Sequence, residues 1–172
     1  ILKTQNTQRL IVIAFLIALE VILTRFCSIN TDILRIGFGF LPVAMVAMLY
    51  GPLWAGAAYA IGDLLGMMIF PTAGYFPGFT LTAFLTGCVY GVVLYGRPKT
   101  WLRILCAVLP VCLIINLCLD TLWLNITLGQ GYLVLLPTRI FKCAVMIPIQ
   151  TVLIHFIWDK CVSRIGFIKA SQ

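Results

Sequence analysis

The feature that most constrains this chain is a succession of apolar runs separated by little more than Gly, Pro and charge. A helix needs about 20 apolar residues to cross ~30 Å of hydrocarbon. Six segments qualify as candidates: Arg9–Ser28, Phe40–Tyr50, Leu53–Phe70, Thr80–Tyr95, Trp101–Ile126 and Leu136–Cys161. The second is short, with a tight break at Gly51-Pro52, and is expected to lie tilted or to span only part of the bilayer; five spans is the alternative to six. Mean hydropathy is +1.10. With 62% hydrophobic and 10% charged residues, the chain departs far from a soluble domain of about half apolar and a quarter charged residues. The expectation is an all-α membrane protein, a six-helix transmembrane bundle forming a single transmembrane domain over residues 1–172. The first apolar run lacks a small-residue cleavage signature and reads as a retained helix.

Several function classes fall away at this point. The sequence carries no ATP-binding loop, no zinc motif and no nucleotide fingerprint, so energy for any transport must come from partners or a gradient. The seven cysteines show no CxxC pairing and read as small hydrophobes within apolar runs. No cofactor, metal or catalytic group is expected. The single histidine, His155, reads as satisfied by a neighbour. A net charge of +7 would suggest nucleic acid for a soluble protein. In a membrane protein the partner is the bilayer, and what matters is where the charges sit.

Lys and Arg near helix ends favour the cytoplasmic side. With the N-terminus inside, eight of the twelve basic residues fall inside: Lys3, Arg9, Arg97, Lys99, Arg103, Lys160, Arg164 and Lys169. Both termini are therefore expected to be cytoplasmic. The remaining four, Arg25, Arg35, Arg139 and Lys142, fall outside. Snorkelling to headgroups is one account of Arg25 and Arg35. Arg139 and Lys142 are harder to explain, because they share a face near the start of an apolar run. Gln150, eleven positions on, points within about 20° of Arg139. A polar stripe reaching so far into the membrane should face protein or a water-filled cavity.

The fifth run carries a matching stripe. Asn116, Asp120, Trp123 and Thr127 follow 4, 3 and 4 spacing, whereas Asn125 points away. One reading has Asn116 and Asp120 simply bonding neighbouring helices. The other is a ligand pocket: cations for an anionic group, Asn and Asp for a heterocycle, and Trp123 as a stacking face. In the first run, Ala14 and Ala18 make a small-xxx-small patch that lets another backbone approach, within this chain or from a partner.

The stretch Phe38 to Gly91 adds motifs: LP at Leu41-Pro42, YGP at Tyr50 to Pro52, GDLLG at Gly62 to Gly66 and GYFPGFT at Gly74 to Thr80. With these the chain resembles the substrate-binding S-components of the energy-coupling factor (ECF) vitamin transporters, most closely the folate-specific type. The resemblance implies a vitamin-binding subunit in the bacterial cell membrane that works with a transmembrane coupling subunit and two cytoplasmic ATPases. It implies that Ala14 and Ala18 meet the coupling subunit. It also implies that two loops, Ile29 to Gly37 and Pro71 to Phe79, cover the ligand. Arg35 would then reach the glutamate tail of folate, and Tyr75, Phe76 and Phe79 would wall its rings, while Gly74, Pro77 and Gly78 shape the turn. Biotin or riboflavin are alternative cargoes, and thiamine, a cation, fits four outer cations poorly. A proton-driven secondary transporter using Glu20, Asp63 and Asp120 is the alternative of a different class, although no internal repeat supports it.

Overall fold

The computed structural model describes residues 2–27, 29–30, 35–69, 76–98, 100–129 and 131–162. Helix α1 (Leu2–Arg25) leads into a two-residue antiparallel ladder, β1 (Ile29–Asn30) with β2 (Arg35–Ile36), in which Ile29 faces Ile36 and Asn30 faces Arg35. Helices α2 (Phe40–Tyr50), α3 (Pro52–Ile69) and α4 (Pro77–Leu94) follow. A continuous rod then runs through α5 (Trp101–Pro110), a π-helical stretch (Val111–Leu119) and α6 (Asp120–Leu128). Helix α7 (Tyr132–Ile157) ends in a second π-helical segment, Trp158–Val162. Apart from the ladder, the architecture is the all-helical one expected. Five of these helical stretches are long and apolar enough to cross a membrane, and α2 is the shorter apolar helix beside them.

Why α2 is short becomes clear from its surroundings. Its 11 residues reach only about 17 Å at 1.5 Å per residue. Val43, Ala44, Val46 and Ala47 are all 2% exposed or less, so α2 is an internal packing element and not a lipid-facing span. The break before α3 has a backbone cause. Gly51 caps α2 at φ 94°, ψ −176°, a region almost confined to glycine, and Pro52 opens the next helix where its missing N–H costs nothing.

Several boundaries differ from expectation. Helix α1 begins at Leu2 and not at Arg9, because no Gly or Pro interrupts the polar stretch before it, and it stops at Arg25. Helix α4 starts at Pro77, three residues early, since a proline preset to φ near −65° suits the first helical position. Phe79 therefore stands on a helix and not in a covering loop. Helix α7 starts at Tyr132, directly after Gly131, and carries Pro137 and Pro148 internally, which membrane helices tolerate. The fifth run is not one uniform helix. Its ladder widens to π geometry immediately after Pro110, whose ring removes an i→i−4 bond.

Helices α3 and α4 pack through a seam of small residues. A Cβ on Gly87 would lie 2.5 Å from the Ala55 carbonyl oxygen, and one on Gly56 would lie 2.8 Å from Cys88 Sγ. Lipid supplies no hydrophobic drive between helices, so close van der Waals approach of this kind is what holds them. The GDLLG glycines serve a different purpose. Glu20 of α1 is 2% exposed and accepts a 2.8 Å hydrogen bond from the Thr24 hydroxyl. A Cβ on Gly62 would strike the Glu20 carboxylate, and one on Gly66 would lie 2.8 Å from Arg25 Nε. The motif thus opens room on α3 for the charged end of α1.

Candidate functional site

The aromatic and charged residues singled out in the sequence gather at the end of the bundle where α4 begins. Phe76 precedes the helix with extended backbone (φ −128°, ψ 119°), the conformation a following proline favours. Gly78 is buried in the first turn, where a Cβ would lie 2.6 Å from Trp123 Cδ2 and 2.5 Å from Phe76 Cε1. Its lack of a side chain lets both rings settle on the α4 backbone. The Phe76 and Trp123 centroids are 5.3 Å apart at 48°, and Phe79 meets Phe76 nearly edge-on, at 6.3 Å and 78°. These spacings lie in the favourable range for aromatic pairs.

Hydroxyls on α4 hold the surrounding helices. Trp123 Nε1 donates to Thr82 Oγ1 at 3.0 Å, and Thr82 in turn donates to the Gly78 carbonyl at 3.0 Å. Thr80 donates to Asp63 Oδ2 at 3.1 Å, tying α3 to α4. Asp120, half-buried at the start of α6, faces Lys142 and Arg139 of α7 and lies in reach of the Thr82 hydroxyl. Arg139 is 6% exposed, and its Nε has no hydrogen-bond partner among the described residues. Lys142 is half-buried beside it. A guanidinium enclosed with donors still open is set to receive an acceptor.

Further in, Tyr90 donates to Gln150 Oε1 at 3.2 Å, Cys112 lies 3.5 Å from the same oxygen, and Cys143 donates to the Cys112 carbonyl at 3.1 Å. Asn116 joins this layer through a side-chain contact with Cys112. The stripe from Arg139 through Lys142 to Gln150 therefore faces protein, as its spacing predicts.

The structure brings together Phe76, Phe79, Asp120, Trp123, Arg139 and Lys142, with Asn116 deeper. Arg35 sits on β2, opposite Asn30. Tyr75 and Gly74 lie outside the described residues. Ala14 and Ala18 are both exposed, so α1 does not use them for packing within the bundle. Two departures from the sequence reading stand out. Thr127 is exposed, its hydroxyl bonded back to the Trp123 carbonyl at 2.8 Å. Thr121, which the stripe omits, is fully buried, because the π-helical turn advances less than 100° per residue and rotates the buried face of α6. Thr82 was also missed. The signal available was three threonines, at 80, 82 and 86, within an otherwise apolar helix.

Chemically, the site offers a cluster of tilted and edge-on aromatic rings, one carboxylate and two cations in a partly enclosed setting. Such a set suits a flat heteroaromatic ligand that carries both hydrogen-bond donors and an anionic group.

Comparison with known proteins agrees in scale. The family described as "ECF transporter, substrate-specific component" matches residues 8–158. A folate transporter FolT from Clostridium novyi is 49% identical over 160 residues, covering 93% of this chain and 92% of that protein. FolT from Leuconostoc mesenteroides is 32% identical, covering 90% and 86%. A crystal structure of FolT bound with folic acid superposes with a TM-score of 0.86 at 38% identity, covering 90% of this chain and 94% of that one. With five helices long and apolar enough to cross a membrane, the chain has the build these likenesses call for, and it belongs to the substrate-specific components of the ECF transporters.

Proposed function

We propose that this protein binds folate with high affinity and is the cargo-binding subunit of an ATP-driven ECF uptake transporter. The observation that carries the reading is the buried Arg139, with an open Nε, facing Asp120, which stands one turn of α6 before Trp123 and its neighbour Phe76. Folate is a flat heterocycle with ring donors and a dicarboxylate tail. Asp120 pairs with the pterin donors, with Asn116 supporting it from below, and Trp123, Phe76, Phe79 and Tyr75 wall the rings. Arg139, Lys142 and Arg35 neutralise carboxylates. An analogue lacking the donors leaves the Asp120 carboxylate without its hydrogen bonds from the ligand, which gives selectivity. The names of the relatives at 49% and 32% identity support the cargo.

The chain is a single transmembrane domain with both termini cytoplasmic, and ATP hydrolysis resides in two partner ATPases reached through a coupling subunit. The exposed Ala14 and Ala18 suit that subunit's contact face.

The test is tryptophan-quenching titration of the purified protein with folate, riboflavin, thiamine and biotin, repeated on Arg139→Ala/Lys142→Ala. Saturable quenching by folate alone, weakened about 100-fold in the variant, is expected. Saturation by another vitamin overturns the cargo, and an unaffected variant overturns the site. Ala14→Leu/Ala18→Leu should leave folate titration unchanged while preventing co-purification with the coupling subunit.

A further inference from the structure

Thr82 stands at a junction that spacing along the helices does not reveal. It is 6% exposed, and its single hydroxyl accepts from Trp123 Nε1 at 3.0 Å while donating to the Gly78 carbonyl at 3.0 Å. The same hydroxyl lies in reach of Asp120. A threonine hydroxyl has one proton and two lone pairs. The chain of bonds therefore has one direction: indole N–H to Thr82, and Thr82 to an acceptor. Trp123 is half-buried, so a 180° turn of its ring would cost the N–H its partner within the protein. Gly78 completes the constraint, since the indole Cδ2 rests where any Cβ would be. Phe76 bounds the ring on a further side at 5.3 Å.

We infer that Thr82 is a positioning residue for the ligand site: its hydroxyl holds the Trp123 indole in one plane and one flip, and so sets the wall against which a flat heterocycle is recognised. This rests on the folate reading for its ligand, but the fixed indole is a property of the free protein. The hydroxyl bonds Trp123 directly and lies in reach of Asp120, the two groups assigned to the heterocycle. Threonine is suited to this because it is small enough for the second turn of α4 and its hydroxyl can bond back to the carbonyl four residues earlier.

The experiment is a double-mutant cycle, read by calorimetric titration with folate. Thr82→Val keeps the shape and removes the hydroxyl, and Trp123→Phe keeps an aromatic ring and removes the N–H. Each is expected to weaken folate about tenfold, the scale of one buried hydrogen bond lost with a partner stranded. The double variant should be little worse than either single one, since both remove the same bond. Thr82→Ser should restore wild-type affinity. Full additivity, or a Ser variant as weak as Val, overturns the inference.

A second readout separates this from the folate reading. In a protein with Trp54, Trp101 and Trp158 replaced by Phe, Trp123 emission reports the ring without ligand. Thr82→Val should shift that spectrum and Thr82→Ser should not. If wild-type protein binds no folate, the cargo assignment fails, and the spectra alone decide the role of Thr82. An unshifted Val spectrum overturns it.

Discussion

The two sides of this bundle are built on opposite principles. Helices α3 and α4 are regular and meet through glycine, with Gly87 so close to Ala55 that no Cβ fits between them. The side made by α5, the π-helical stretch, α6 and α7 is irregular, with Pro110, Pro137 and Pro148 inside helices and with Asp120, Arg139, Lys142 and Gln150 turned inward. Close backbone packing leaves no room for a ligand and gives a fixed frame. Broken ladders and buried polar groups leave donors and acceptors unspent. Phe76, Gly78 and Thr82 at the start of α4 join the two, because they belong to the regular side and touch Trp123 of the irregular one. The contrast shows where stability and recognition separate in a small membrane protein.

The comparison breaks most visibly at the seam. Gly87→Val places two methyl groups where the Ala55 carbonyl lies, and the helices must part. A loss of about 3 kcal/mol or more is expected, seen as a large fall in the detergent melting temperature and in monodisperse yield. Folate added in excess should restore only part of it. A variant as stable as wild type would mean that the seam is not the frame.

On the irregular side the largest effect should fall on affinity. Arg139→Ala removes a buried guanidinium opposite Asp120 and should weaken folate by about 2–3 kcal/mol, with a smaller change in melting temperature than Gly87→Val. Calorimetry alongside thermal unfolding separates the two effects. Equal losses in both measurements would erase the proposed division of labour.

Between these extremes lies Gly51. At φ 94° and ψ −176°, an alanine costs about 1–3 kcal/mol in backbone strain, and Gly51 stands at the end of α3 away from Asp63. Gly51→Ala should lower the melting temperature and leave folate affinity as it is. A change in affinity would show that the frame transmits strain to the site along α3.

How much of this was legible in the sequence depends on what the local rules can see. Hydropathy and punctuation located every helical run among the described residues, because length and Gly-Pro breaks are local properties. Periodicity also turned Arg139, Lys142 and Gln150 inward correctly, since α7 keeps α-helical phase across them. It failed at Thr127, which stands in the last turn of α6 just before the Gly129 cap, and at Thr121, which follows nine π-helical residues that no pattern announces. The GDLLG glycines were legible as a motif but not as clearance for Glu20 and Arg25, which lie some 40 residues away in sequence. Thr82 escaped for the same reason, its partner Trp123 being 41 positions distant. Long-range pairing is what a local reading lacks.

The smallest expected effect addresses that π-helical phase. Pro110→Ala returns an N–H to the ladder, and the following turns can then close i→i−4 bonds again. If the proline sets the π geometry, the rod re-phases and Asp120 and Trp123 rotate relative to Arg139 and Thr82. Folate affinity should then fall only about threefold, because Phe76 and Gly78 still bound the indole. Stability should hold or rise slightly, as an alanine suits a helix interior better than proline. Cysteine accessibility along residues 113–119, which alternates with the exposed face of the rod, would register the change in phase directly. An unchanged accessibility pattern with unchanged affinity would assign the π geometry to the packing of Val111, Cys112 and Ile115, all 4% exposed or less, and not to the proline that precedes them.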